Sequence, residues 1–295
     1  MSKVAQFTLI VPGILMFVLV FAMFPAVLQA GQADGALQLH FANGFTSLRE
    51  YVQGLWNGHS FHYLSGKTEL SFWEQIGRSF TVTLSYMAVG GFVGMTAGVL
   101  LGVRTAVARK PWLKRTLELT SVLPDFVIVI LLQFLIVYIA SETGLVVFKV
   151  ASPSTDDPAI ALPLLSTIII PANYMIRNVA LHMNQTLTED YISFAKARGL
   201  GKTYIIFYHA LPNVLPYVKA DLHKFLGILF GNLFIFEYLY NLNGVGMMLF
   251  SNAFAFNGYQ YGFVVNGILT LLVLYALMYA LLRTVIFGWE KVIVR

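Results

Sequence analysis

The chain has 295 residues, 58% of them hydrophobic and only 11% charged, with a formal net charge of +5 and no cysteine. A soluble domain carries about 25% charged residues, so this is a membrane protein. Disulfides and thiolate metal sites are excluded, and the positive surplus reflects topology and attraction to anionic lipid, with no need of nucleic-acid binding to explain it.

Six apolar runs stand out, near residues 7–28, 79–103, 119–140, 159–176, 222–240 and 262–287. Most reach the ~20 residues a helix needs to cross ~30 Å of hydrocarbon. The first follows Lys3 in the manner of a signal peptide, but its 22 residues exceed the ~7–15 of a cleavable apolar region. It is expected as a retained helix. Fifteen of the lysines and arginines fall on the N-terminal side of the membrane and four (Arg49, Lys67, Arg78 and Lys149) on the other, which puts both termini inside the cell.

The outer segment, residues 29–75, includes "YVQGLWNGHSFHYLSG" and reads as a partly ordered external subdomain. Its His59 and His62 are three apart, as metal ligands on a helix can be, but without a third ligand of defined placement they read as solvated. Residues 1–75 are expected as the first helix plus this subdomain, and residues 76–295 as the transmembrane core. In the second run Gly90, Gly94, Gly98 and Gly102 recur every four residues, a small-residue stripe that lets another helix approach closely in lipid. Pro12, Pro124, Pro163 and Pro171 lie in or beside the runs, where each permits a kink. The loop "SETGLVVFKVASPSTDDP" carries turn chemistry at Ser152-Pro153 and Asp157-Pro158.

Few ionisable groups lie deep in the bilayer. Asp125, Asp221, Glu237 and Arg283 map near helix ends, and Gln133 is the strongly polar side chain central to the third run. Ion-coupled carriers need mid-depth relays, so the energy for any transport must enter from elsewhere.

The longest inner segment, from Arg177 to Lys219, contains "FAKARGLGKTYIIFYHALP". Gly201-Lys202-Thr203 ends like a phosphate-binding loop, but Lys196 stands where the motif needs its first glycine and the preceding residues are not a buried strand. A short helix is expected here instead. Thr188 would cap it, Glu189 and Asp190 would face the positive dipole end, Lys196 and Arg198 would occupy its last turn and Gly199 would stop it. Tyr191, Phe194 and Ala195 would share an apolar face. Such a helix is too short to be stable alone and needs a surface to lie on.

The pattern Ala195-x3-Gly199-x9-His209-Ala210-Leu211-Pro212 resembles the "EAA" signature of bacterial ABC importer permeases. "DYISFAKARGL" with "HALPNVLP" is closest to the oligopeptide/dipeptide (peptide/nickel) branch. "YVQGLWNGHS", "FWEQIGRSFTVTLSY" and "EYLYNLNGVG" extend the resemblance over most of the chain, with Glu237, Gly244 and Gly246 in place. Departures are Ser193 and Phe194 at the Glu and Ala of the consensus, Ala180 at a usual arginine, Asn243 at a usual proline and the ending "FGWEKVIVR".

The resemblance implies an all-α membrane protein with a MetI-like permease fold and about six transmembrane helices, multi-pass in the bacterial plasma (inner) membrane. It implies two ATPase subunits carrying ATP and Mg, a second, non-identical permease subunit and an extracellular or periplasmic substrate-binding protein; this chain would bind no cofactor and be no enzyme. The loop of about residues 182–217 would couple to the ATPase through Asp190, Tyr191, Phe194, Ala195, Lys196, Arg198, Gly199, His209, Leu211 and Pro212. Gln133 and Glu237 are expected beside the translocation path. The solutes would be oligopeptides or dipeptides, with nickel or metal chelates, or an ion-coupled carrier of another class, as alternatives.

Overall fold

The computed structural model describes residues 3–30, 37–108, 115–116, 119–120 and 123–293. Four of the inner cations, Arg109, Lys110, Lys114 and Arg295, lie outside the described residues. In chain order, α1 (Lys3–Val27) leads through a hairpin, β1 (Leu28–Ala30) and β2 (Leu37–Leu39), to α2 (Phe41–Asn57). A second hairpin, β3 (His62–Ser65) and β4 (Thr68–Ser71), precedes α3 (Phe72–Ala108), α4 (Asp125–Thr143) and α5 (Ala161–Thr186). Then come α6 (Asp190–Ala197), α7 (Lys202–Tyr204), a π-helix (Ile205–Ala210) and α8 (Leu211–Ala220). The chain continues through α9 (Leu222–Gly231), α10 (Leu233–Leu239), α11 (Val245–Asn252), a two-residue-strand hairpin, β5 (Phe254–Ala255) and β6 (Gly258–Tyr259), and α12 (Tyr261–Ile293).

Among the described residues, six helical spans are long and apolar enough to cross a membrane: Ile10–Val27, α3, α4, α5, Leu222–Leu239 and α12. The helices outrun most of the apolar runs because hydrogen bonding continues past the hydrocarbon edge. With 37 residues, α3 is about 55 Å long against ~30 Å of hydrocarbon. The third span starts later than its run. Expected from residue 119, its helix begins at Asp125 because Pro124, in extended conformation at the N-cap, closes off any upstream continuation.

The chain divides into two compact bodies. The first comprises Met1–Val82 with Gly244–Leu274. Its core gathers Val18 and Ala22 of α1, Tyr51 of α2 and Tyr261 and Val265 of α12. The polar atoms there are paired: Tyr51 Oη donates to Asn266 Oδ1 (2.9 Å), Asn266 Nδ2 to the Ser60 carbonyl (2.8 Å) and Ser60 Oγ to the Tyr51 carbonyl (2.7 Å). Gln260 bridges both Leu64 backbone groups, accepting from its N–H (2.6 Å) and donating to its carbonyl (2.8 Å). Tyr51, Ser60 and Leu64 of the outer segment are thereby tied to residues about two hundred positions away. His59 and His62 are exposed, and a His62 ring nitrogen lies 3.2 Å from the Gly58 carbonyl oxygen.

The second body comprises Thr83–Asn243 with Tyr275–Arg295. Its interior is built from Met87, Met95, Met175, Met183, Leu215, Phe225 and Tyr240. The glycine stripe of α3 faces α5 throughout. A Cβ at Gly90 would come within 2.6 Å of Thr167 Cβ, at Gly98 within 2.6 Å of Met175 Cβ, at Gly102 within 2.7 Å of Val179 Cβ, and at Gly94 within 3.1 Å of the Ile168 carbonyl. The loop after α4 is held at both turn signals. Ala159 N–H donates to Ser152 Oγ, Ser154 bridges Asp157, and Lys149 pairs with Asp157.

Candidate functional site

The segment between α5 and α9 was singled out by its motif, and its geometry is well defined. The chain leaves α5 through Leu187 and enters α6 at Glu189, whose backbone is extended (φ −67°, ψ 150°) and whose side chain makes no cap. Thr188 is not the cap. Its hydroxyl donates back to the Gln185 carbonyl (2.7 Å) and finishes the preceding helix instead. Asp190 stands in the first turn of α6 and Lys196 in the last, as the helix dipole favours.

The stop is a Schellman motif. Gly199 has φ +74°, its N–H bonds to the Lys196 carbonyl (3.0 Å) and the Leu200 N–H to the Ala195 carbonyl (3.3 Å). A Cβ on Gly199 would meet no atom within 4 Å, so the demand for glycine is conformational and not one of space.

The apolar residues of α6 divide between two faces. Ile192 and Ala195 are buried, whereas Tyr191 is 43% and Phe194 65% exposed. Ala195 therefore does not share an outward face with the two aromatics, as the sequence suggests; it pairs with Ile192 three positions earlier and seats the helix. Asp190, Lys196, Arg198 and Gly199 are exposed with the aromatic pair. The Arg198 guanidinium carbon lies 5.9 Å from the Phe194 ring centroid, a contact worth ~0.5–1 kcal/mol at an exposed site. Partial burial, reinforced by the Glu189 carboxylate and opposed by a hydrogen bond with Asn213, raises the Tyr191 hydroxyl above its ordinary value.

Gly201 follows a helix and not a strand; it is the extended N-cap of α7 (φ −63°, ψ 144°), which differs from a phosphate-binding loop. The π-helix comes next, and the Leu211 N–H bonds to the Ile206 carbonyl, five residues back. Pro212 explains the wide turn. It offers no N–H to the Tyr208 carbonyl and its ring would press on that group in a regular helix. Of the motif residues here, Leu211 is buried and His209 and Pro212 half-buried, so these three are not part of the exposed face. The buried His209 Nε2 has no hydrogen-bond partner among the described residues, and its ring meets Tyr204 edge-on at 5.5 Å.

Sequence reasoning missed one part of this surface. Tyr204, Phe207 and Tyr208 are exposed and, with Thr203, Val292 and Ile293, line an apolar groove of about 510 Å³. The signal was present in "KTYIIFYHA", where the aromatics recur at i, i+3 and i+4 around the buried Ile205 and Ile206.

Both expected path residues are hydrogen-bonded within the second body, Gln133 half-buried and Glu237 buried. Gln133 Nε2 donates to the Val150 (3.1 Å) and Leu239 (2.9 Å) carbonyls. Glu237 is 2% exposed and accepts from Thr83 Oγ1 at 2.6 Å. No group of three or more His, Asp or Glu is placed to hold a metal ion among the described residues.

Residues 94–295 match the family model described as the binding-protein-dependent transport system inner membrane component. Among similar proteins is the metal-staphylopine import system permease protein CntB of Staphylococcus aureus, 26% identical over 179 residues, which are 59% of this chain and 55% of that protein. A Brucella abortus protein named for a peptide transport system permease is 26% identical over 245 residues, 76% of each chain. The chain thus spans about half the length of the first of these relatives. Among solved structures, a chain of the inward-facing MetNI methionine ABC transporter superposes with a TM-score of 0.50 at 19% identity, covering 76% of this chain and 98% of that one. That likeness is one of fold. With more than half its length matched by the family model, the chain belongs to the inner-membrane components of binding-protein-dependent transport systems.

Proposed function

We propose that this chain is the membrane-spanning permease subunit of an ABC importer in the bacterial plasma (inner) membrane, taking up oligopeptides or dipeptides. The observation that carries the proposal is the α6 face. Tyr191, Phe194, Lys196 and Arg198 are turned outward on a helix seated by Ile192 and Ala195 and locked at Gly199. Exposed aromatics with arginine at their edge are the composition of a protein-docking patch.

In this reading two ATPase subunits hold ATP and Mg and grip that face, while this chain is no enzyme. Moving a transporter from 1:99 to 99:1 between two states takes about 5.5 kcal/mol of differential binding, and the loop is where that work enters. A second, non-identical permease completes the path, and a substrate-binding protein delivers solute from outside. Gln133 and Glu237 serve the path by bracing its walls. A second reading, uptake of a metal chelate, is favoured by the name of the Staphylococcus aureus relative.

Purification of the tagged chain tests the class, and uptake tests the solute. It is expected to bring down an ATPase and a second permease, with ATP hydrolysis stimulated by the external binding protein. A working transporter in which residues 188–200 never crosslink to the ATPase would overturn the coupling assignment. Labelled short peptides competing against nickel chelate in a deletion strain decide between the two solutes.

A further inference from the structure

The second body carries a cation that no carboxylate among the described residues neutralises. Arg283 follows "YGFVVNGILTLLVLYALMYALL", residues 261–282, which contains no charged residue. At 1.5 Å per residue that stretch spans about 33 Å, the thickness of the hydrocarbon, so Arg283 stands where α12 leaves the apolar layer. His223 and Lys224 open the apolar stretch of α9 and Leu222–Leu239 is a membrane span. On the orientation set by the lysines and arginines, both places are at the inner headgroup level.

The side chains at this level form one stack. The His223 ring lies on Tyr279 at 4.7 Å with 15° between planes, and a ring nitrogen lies 2.8 Å from Tyr275 Oη. Arg283 lies 5.6 Å from the Tyr279 centroid and donates to Tyr279 Oη. No carboxylate is within ion-pair distance of Arg283 among the described residues. Nearby charges are already matched: Lys219 is paired with Glu290 at 2.9 Å, and Lys224 lies 3.7 Å from Asp221. Arg283 and His223 are exposed. One guanidinium N–H is used on a neutral phenol, which leaves the others and the Tyr279 hydroxyl proton to reach outward.

A guanidinium at the hydrocarbon edge without a protein counter-charge is costly unless it reaches an anion, and its planar fork matches phosphate. We propose that Arg283, set by Tyr279 and His223, binds the phosphate of an anionic phospholipid of the inner leaflet. The aromatic stack fixes the fork, and Arg283 supplies the charge that a zwitterionic lipid would satisfy only in part. This inference needs only the membrane placement of the chain and is independent of what it transports.

The test is native mass spectrometry of the full chain in detergent, titrated with phosphatidylglycerol and phosphatidylcholine of the same acyl chains. The wild type is expected to retain phosphatidylglycerol about fivefold to tenfold better. Arg283→Gln is expected to erase that preference, whereas Lys224→Gln leaves it in place because Lys224 is matched by Asp221. Equal retention of the two lipids by the wild type overturns the proposal without any variant. So does an equal loss in the Lys224 variant, which would mean diffuse surface charge. Displacement of the lipid by millimolar inorganic phosphate would make the site one for soluble anions and overturn the lipid assignment.

Discussion

Replacing Gly98 by alanine tests whether the α3–α5 contact is as close as the backbone places it. The new Cβ would sit 2.6 Å from Met175 Cβ and 2.8 Å from Met175 Cγ, with the Ala172 carbonyl at 3.4 Å. Ordinary carbon contacts are about 3.5–4.0 Å. Met175 Cγ can rotate away, but its Cβ is fixed to the α5 backbone, so the helices must part locally by about 1 Å. Such overpacking costs about 1–3 kcal/mol, against a gain of about 1 kcal/mol from helix propensity. Because the clash is with a Cβ, the upper end applies and the net loss is about 2 kcal/mol. Gly227→Ala in α9 is the control, since its Cβ would meet nothing within 4 Å and it keeps the propensity gain. Unfolding of the purified chain by SDS in mixed micelles, followed by circular dichroism, should separate the two variants by about 2–3 kcal/mol. If Gly98→Ala proves as stable as Gly227→Ala, the stripe does not carry the contact.

Four further outcomes are expected. Phe194→Ala should leave stability within about 0.5 kcal/mol, because the ring is exposed, while weakening ATPase capture by about 2 kcal/mol, a factor near thirty, in pull-down titrations; unchanged capture would remove Phe194 from the interface. Gly199→Val should impair uptake in reconstituted vesicles far more than Gly199→Asn, because a β-branched residue pays about 1–2 kcal/mol in the left-handed region that asparagine tolerates; equal uptake by the two would show that φ there is unimportant. Thr83→Val withdraws one donor from the buried Glu237 carboxyl and should cost about 0.5–1.5 kcal/mol in the same SDS titration. Burial, with a smaller contribution from Tyr261, raises the Tyr259 hydroxyl above 10.0. The folded chain then holds that proton more tightly than the unfolded one, so this stability is complete below pH ~10 and declines above it; Tyr259→Phe should flatten the alkaline fall in melting temperature.

What could be read from the residues depended on the range of the interactions. The six spans, the glycine stripe and the stop at Gly199 are set by composition and spacing within one helix or one turn, and all of these emerge from the residues alone. The facing of α6 did not. With Tyr191, Ile192, Phe194 and Ala195 in eight residues, apolar groups lie on more than one side, and only the packing of Ile192 decides which side is down. The hydrogen bonds of Gln133 are illegible for a related reason. A polar side chain in a membrane run suggests a path, but its partners are carbonyls 17 and 106 residues away, and no local pattern announces them. Thr188 shows the smaller error of a cap assigned one residue early, where two helices nearly abut and a hydroxyl can serve either.

The wide turn at Ile205–Ala210 matters beyond its local geometry. It sits in sequence between the exposed handle of the loop and the span that begins at Leu222. A hydrogen-bond ladder already loosened by one residue can shift its register by that residue, about 1.5 Å along the axis, before α8 has to bend. In the proposed coupling, a pull on the docked face would first be taken up as that slack, and only a stroke longer than the play would reach the span that begins at Leu222.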